Sequence, residues 1–340
     1  MRVVFPAFSL AVVHIAGSNA AVVPVMALLI GNGIFATVFM AYMIFGAMVA
    51  GMSAWIGLKT GRELTAAVKR LFGVRGRKVL ASAVLAVSLP ASALTGGYFS
   101  GKLLENLIGI PYMLAVPLCI AGYCLLSVGY GRELLRLSNY VALLFVPATG
   151  VMLIMMLMTS PIVPCHPFAS FGDISWPLVS ALIGYSACGM RSALVVEAGS
   201  HFAAQNYTSV YLAILAKIFE GFITLLLAYL TLIGGEGGFM PLAILADKVF
   251  GSWWAAIFSG VLLCVFLNTM VPAMLVNAKQ LSVLTRLPLW RALALAGLMI
   301  WGGSFIPLNL MLLVLSGAGL MMSVVIFYIV YCLHNQSANK

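Results

Sequence analysis

Apolar residues run almost unbroken along most of the 340 positions, and the interruptions fall where charge or Gly, Pro and Asn cluster. Gly31-Asn32-Gly33, Gly109 to Pro111, Gly131-Arg132-Glu133, Gly234 to Gly238 and Pro307 are such stops. Crossing about 30 Å of hydrocarbon as a helix takes roughly 20 apolar residues. The pattern predicts ten spans, over residues 5–29, 33–57, 79–101, 111–129, 138–160, 176–200, 208–232, 253–279, 290–305 and 309–333. Short interfacial helices are expected around 62–71 and 239–249. The fold class expected is an all-α polytopic membrane protein whose residues 1–340 form one transmembrane domain.

Composition narrows the picture. The chain is 63% hydrophobic and 8% charged, against about 45–50% and about 25% in a typical soluble domain. Its outer surface must therefore face a lipid bilayer, which excludes a cytosolic enzyme, a secreted disulfide scaffold and a soluble nucleic-acid binder. Cys119, Cys124, Cys165, Cys188, Cys264 and Cys332 form no CxxC pair, and five fall in apolar runs, so they read as small buried hydrophobes.

The net charge of +10 is placed rather than spread. Lys59, Arg62, Lys69, Arg70, Arg75, Arg77 and Lys78 share one connection, as the positive-inside bias produces in a cytoplasmic loop. No aromatic or Gly-rich recognition pattern accompanies them, so no nucleic-acid partner is expected. With a cytoplasmic N-terminus, fourteen basic residues fall on the inner side and two, Lys102 and Lys248, on the outer. That predicts a multi-pass cell-membrane protein with both termini cytoplasmic. A signal peptide beginning at Arg2 is the alternative for the start; apolar sequence continuing to Ile30 favours a span.

Two spans carry polar and Gly residues at their midpoints. The first has His14-Ile15-Ala16-Gly17-Ser18-Asn19, and the sixth has Gly184-Tyr185-Ser186-Ala187-Cys188-Gly189-Met190-Arg191. Unwound backbone in lipid is tolerated only where protein or a watery cavity satisfies its N–H and C=O groups. Spans one and six are five apart, as two inverted five-helix repeats over about 5–160 and 176–333 require, with the opening helix of each broken at the solute. Close packing at Gly17 and Gly189 is the plainer alternative for either site. Gly17, Ser18, Asn19, Tyr185, Ser186, Gly189 and Arg191 are the candidate solute ligands.

Ionisable residues within spans call for a reason. Arg191 could hold a substrate carboxylate bidentately, act as a fixed cation in place of sodium, or complete a structural ion pair. Lys217 and Glu220, three apart on one helix face, can neutralise each other or relay a proton. His14 is a proton sensor or a hydrogen-bonded core histidine. Asn268 and Thr269, with Pro272 and Asn277 nearby, offer oxygens to a small cation, or Thr269 bonds its own backbone beside a kink. Ser88 to Ser92 and Thr95-Gly96-Gly97-Tyr98 either line a pathway or mark a kinked packing helix.

Several stretches carry a family resemblance. Leu182 to Ala187 continuing to Leu194-Val195-Val196-Glu197-Ala198-Gly199, Met240 to Ala246, Phe266-Leu267-Asn268-Thr269 to Gln280-Leu281, and Gly57-Leu58-Lys59 to Phe72-Gly73 resemble the YkvI-like membrane proteins. In the first span this chain has His14 to Ala20 where that family usually shows a Gly-rich run. The family is similar to the amino acid–polyamine–organocation superfamily, which implies a LeuT-type 5+5 inverted repeat with helices 1 and 6 broken. It also implies carriage of amino acids or other small solutes with Na⁺ or H⁺, and no cofactor beyond the coupling ion.

The expectation is a secondary transporter of a small-molecule solute, an amino acid or organic anion, working by alternating access. Two rivals are a non-transporting solute receptor on the same scaffold and a metal-ion transporter of related fold. For the latter, Met190, Cys188 and His14 leave a small opening. No HExxH motif, paired carboxylates or nucleotide loop suggests an enzyme. The pattern fixes no oligomeric state.

Overall fold

The computed structural model describes residues 35–61, 64–128, 207–234 and 241–338, with single positions at 23 and within 147–158. Its elements are α1 (Phe35–Thr60), α2 (Leu64–Ser92), a π-helical segment (Ala93–Phe99), α3 (Ser100–Ile108), α4 (Tyr112–Val128), α5 (Thr208–Gly234), α6 (Pro241–Phe250), α7 (Ser252–Thr285), α8 (Leu289–Gly303) and α9 (Leu308–Ala338). They correspond to the second, third, fourth, seventh, eighth, ninth and tenth expected spans, with α6 as the interfacial helix near 239–249. The first span apart from Val23, the sixth, and all but a few positions of the fifth lie outside the described residues.

Among the described residues five stretches are long and apolar enough to cross a bilayer: Phe39–Thr60, Leu64–Ile108, Val210–Leu232, Ser252–Thr285 and Leu310–Asn335. Helices α4 and α8, 17 and 15 residues long, reach roughly 22–26 Å at about 1.5 Å per residue. They are packed against longer neighbours. Large apolar side chains such as Leu118, Leu125, Leu298, Leu313 and Val324 point outward. In a soluble protein such a surface would aggregate; against acyl chains it is the solvated face.

The third span is longer than its hydropathy suggests. Winding passes through a π turn at Ala93–Phe99, which holds Gly96 and Gly97, and goes on to Ile108, beyond the expected end at 101. At its other end Gly73 has φ 69° and ψ −164°. This left-handed setting suits glycine. It separates a short leading helix, close to the one expected at 62–71, from the span proper. Helix α7 likewise runs on to Thr285, and Arg286 caps it in the left-handed region with its N–H on the Ser282 carbonyl.

The packing follows a numerical pattern. Helix α1 lies along α5, α2 along α7, and α4 along α8. Each pair joins spans five apart: second with seventh, third with eighth, fourth with ninth. Two further contacts, the π segment of the third span with α8 and α7 with α4, exchange places when each span is replaced by its counterpart five away. Helix α9 leans on α2 and α1. Two bodies emerge, the α1–α5 pair and a four-span group of α2–α3, α4, α7 and α8.

Candidate solute and ion sites

Of the candidate ligands, Gly17, Ser18, Asn19, His14, Tyr185, Ser186, Gly189 and Arg191 lie outside the described residues. The described part contains Lys217, Glu220 and Thr269, together with the backbone position of Asn268 on α7.

Lys217 and Glu220 are one turn apart on α5 and lie wholly inside the protein. Their Nζ and Oε2 are 2.6 Å apart, with side chains 1% and 0% exposed. The interface with α1 supplies a third member that sequence inspection missed, Tyr42. Its hydroxyl donates to Glu220 Oε1 at 3.0 Å and accepts from Lys217 Nζ at 3.4 Å. The ammonium also stands 4.8 Å from the Tyr42 ring centroid. A closed acid–hydroxyl–ammonium triangle thus joins the two helices.

Small residues make that approach possible. A Cβ on Gly46 would overlap the Lys217 stem, and one on Gly51 or Gly221 would crowd Ile214 or Met43. Gly46 therefore forms the slot in which the lysine lies. The signal for Tyr42 was weak, because a lone tyrosine in an apolar run becomes informative only once α1 and α5 are known to touch.

In the other body the fully buried polar side chains are neutral among the described residues. Asn277 of α7 accepts a hydrogen bond from Ser88 and donates to Ser92 Oγ at 3.0 Å, all three fully buried. That places Asn277 in the α2–α7 contact, away from the cation-ligand reading of its cluster. Thr269, 4% exposed, donates to the Val265 carbonyl at 3.4 Å, the local backbone bond weighed for it above.

The Thr95-Gly96-Gly97 stretch serves packing. Gly96 faces Met270, Gly97 faces Ser304, and Ser100 Oγ bonds the Thr95 carbonyl at 2.7 Å. Tyr123 of α4 donates to Ser100 Oγ at 2.8 Å, and Ser127 Oγ reaches the Val271 carbonyl at 3.1 Å. Two adjacent glycines, one π turn and three hydroxyls knit these spans.

At the end of the third span an open cavity of about 330 Å³ lies between α3, α6 and the start of α7. Asn106, Asp247, Ser252 and Ser259 bring polar groups to it beside Leu107 and Ile244. Nearby, Lys102 pairs with Glu105 at 2.7 Å and sits 4.8 Å from the Tyr112 ring. The Tyr112 hydroxyl holds the Ser304 carbonyl at 2.9 Å. None of these residues was singled out from sequence, since each is an ordinary loop-flanking polar residue until α6 folds over α7.

Among the described residues no group of three His, Cys, Asp or Glu side chains could hold a metal ion. Cys119, Cys124, Cys264 and Cys332 are free thiols, half-buried rather than fully enclosed.

These observations define a class: an all-α polytopic membrane protein whose spans pair at intervals of five. The same fold is found in solved transporters. An inward-facing conformation of Mhp1 matches with a TM-score of 0.62 at 18% identity, covering 92% of this chain and 75% of that one. Mhp1 in a closed conformation with bromovinylhydantoin bound, described as a nucleobase-cation-symport-1 family transporter, matches with a TM-score of 0.66 at 14% identity, over 87% and 70%. A manganese transporter of Eremococcus coleocola, in complex with an aromatic bis-isothiourea substituted compound, matches with a TM-score of 0.62 at 13% identity, over 95% and 76%. No family model and no curated protein matches the chain. The likeness is one of fold, and that fold is of LeuT type.

Proposed function

We propose that the protein is a secondary transporter that moves a small solute, an amino acid or organic anion, by alternating access with Na⁺ or H⁺ as coupling ion. The observation that carries the reading is the five-apart pairing of helices. Two repeats related by a pseudo-two-fold axis bring their opening helices together at mid-membrane, where broken main chain can grip a solute. Gly17, Ser18 and Asn19 in the first span and Tyr185, Ser186 and Gly189 in the sixth are the ligands this reading assigns. Arg191 answers a solute carboxylate, with a planar fork suited to two parallel hydrogen bonds.

His14, Lys217, Glu220, Asn268 and Thr269 are the candidate coupling groups. The buried α1–α5 triangle supports a proton for this role, because Glu220 and Lys217 are enclosed titratable groups, and a proton taken up by one or released by the other changes the net charge of that contact. The inner-side excess of Lys and Arg supports a prokaryotic cell membrane with both termini cytoplasmic. Within the superfamily, the quoted motifs lean towards the YkvI-like proteins. Like other such carriers the protein would need no catalytic residues.

Thermal shift of the purified protein against a solute panel, with and without Na⁺ and across pH, tests the reading, since a bound ligand stabilises by mass action. Hits should then be taken up by proteoliposomes and lost in Arg191→Ala. Binding without flux would make the protein a solute receptor on the same scaffold. A hit by manganese alone would make it a metal carrier.

A further inference from the structure

We propose that the segment around Gly73 is a binding site for an anionic phospholipid, seated between α2 and α9. From Leu64 to Leu80 the sequence holds Lys69, Arg70, Arg75, Arg77 and Lys78 and no Asp or Glu. Lys69, Arg70, Arg75 and Lys78 are exposed, and among the described residues none of the five has a carboxylate partner. Arg77 is half-buried, and its Nε is shut away from solvent with no hydrogen-bond acceptor. An enclosed guanidinium nitrogen is costly unless an oxygen reaches it, and a phosphate presents oxygens in the geometry a guanidinium fork prefers.

The shape of the segment says which phosphate. The leading helix buries Leu64, Thr65, Ala67 and Val68 and turns Lys69 and Arg70 outward. Gly73 then changes the direction of the chain, and large apolar side chains emerge among the basic ones: Phe72, Val74 and Val79, 37%, 61% and 70% exposed. A soluble anion has no use for exposed apolar side chains beside its ligands. A lipid has, since its headgroup meets the cations while its acyl chains cover the greasy positions. Phe72 stacks on Tyr328 of α9, ring centroids 5.8 Å apart and planes 21° from parallel. Tyr328 is itself 57% exposed, so one molecule seated here would touch both helices.

Orientation by the positive-inside bias needs only that these charges stay in the same connection; a binding site needs them in these places. The discriminating experiment uses the full chain in nanodiscs of phosphatidylcholine mixed with spin-labelled phosphatidylglycerol or spin-labelled phosphatidylcholine at fixed salt. The expected result is a motionally restricted phosphatidylglycerol fraction that phosphatidylcholine does not reproduce. Its relative affinity should fall about fivefold for each basic residue removed by Arg77→Gln or Arg75→Gln.

Arg77→Lys keeps the charge and removes Nε, so it should fall short of the parent chain if the enclosed nitrogen binds phosphate. Arg286→Gln at the end of α7 and Arg291→Gln in the first turn of α8 should leave the preference unchanged. Phe72→Ala should weaken retention while leaving every charge in place, and it serves as the second variant should Arg77→Gln fail to fold. Equal loss in the Arg286 and Arg291 variants, or no preference in the parent, would overturn the site and leave orientation as the sole role of these charges. The readout is lipid affinity rather than flux, so the proposal stands or falls independently of the transport reading.

Discussion

The α1–α5 pair and the group formed by α2–α3, α4, α7 and α8 both hide polar groups from lipid and from water, with opposite chemistry. The pair carries a formal cation and anion, 2.6 Å apart, bridged by Tyr42 and enclosed by Gly46. The larger group keeps its ion pair, Lys102 with Glu105, part-exposed at one end and fully buries only neutral side chains: Asn277 with two serines, Tyr123 with Ser100, and Ser127 with a main-chain carbonyl. Neutral hydrogen bonds between membrane helices average about 0.6 kcal/mol, and the largest reach about 1.7 kcal/mol. They hold spans in register gently and in several places at once. A buried ion pair is different in kind, since its net worth is small while the loss of either partner is severe. One body is thus a distributed weave, and the other buries one ion pair within α5, tied to α1 through Tyr42, whose charge a change in protonation could reset.

The largest test of that contrast removes one charge. Lys217→Met should destabilise the protein by about 3–5 kcal/mol, because Glu220 is left charged in the interior. The double variant with Glu220→Met should recover most of it, read by denaturant unfolding in bicelles. A loss in the single variant no larger than that of an exposed helix pair, about 0.3–0.5 kcal/mol, would show the pair to be solvated.

Next comes the slot: Gly46→Ala should cost about 1–3 kcal/mol through overpacking against the lysine stem. In the Lys217→Met background most of that cost should vanish, since an unbranched thioether can move aside. In the woven body Asn277→Leu should lose about 1–2 kcal/mol by orphaning Ser88 and Ser92. Smallest of all, Ser127→Ala should cost about 0.6 kcal/mol. A ranking in which the asparagine outweighs the lysine would reverse the comparison.

Much of this architecture was written in the hydropathy. The seven described spans begin and end near the positions where Gly, Pro, Asn or charge interrupts the apolar run, because lipid imposes helix on any such stretch. The misjudged boundaries share one cause. The third and eighth spans were ended at 101 and 279, near Lys102 and Lys279, yet winding persists to Ile108 and Thr285 because a charged side chain at a span's end does not unwind the backbone. The Lys217–Glu220 contact was legible from spacing alone, being a turn apart on an apolar face. Tyr42 and the bonds of Asn277 to Ser88 and Ser92 were not, for they join residues more than 170 positions apart and depend on which helices meet. The polar residues around Asp247 stayed hidden for the same reason.

The π turn at Ala93–Phe99 has a geometric sequel. Successive residues of an α-helix advance by about 100° around the axis, so a widened turn sets everything beyond it out of phase with what came before. Lys102 and Glu105 accordingly look towards Tyr112 from an azimuth that uninterrupted winding from Ser88 would not give them. Deleting one residue between Ala93 and Phe99 would leave the rod intact and swing its far end by roughly that angle, detaching the Lys102–Tyr112 contact while Ser88 stayed beside Asn277.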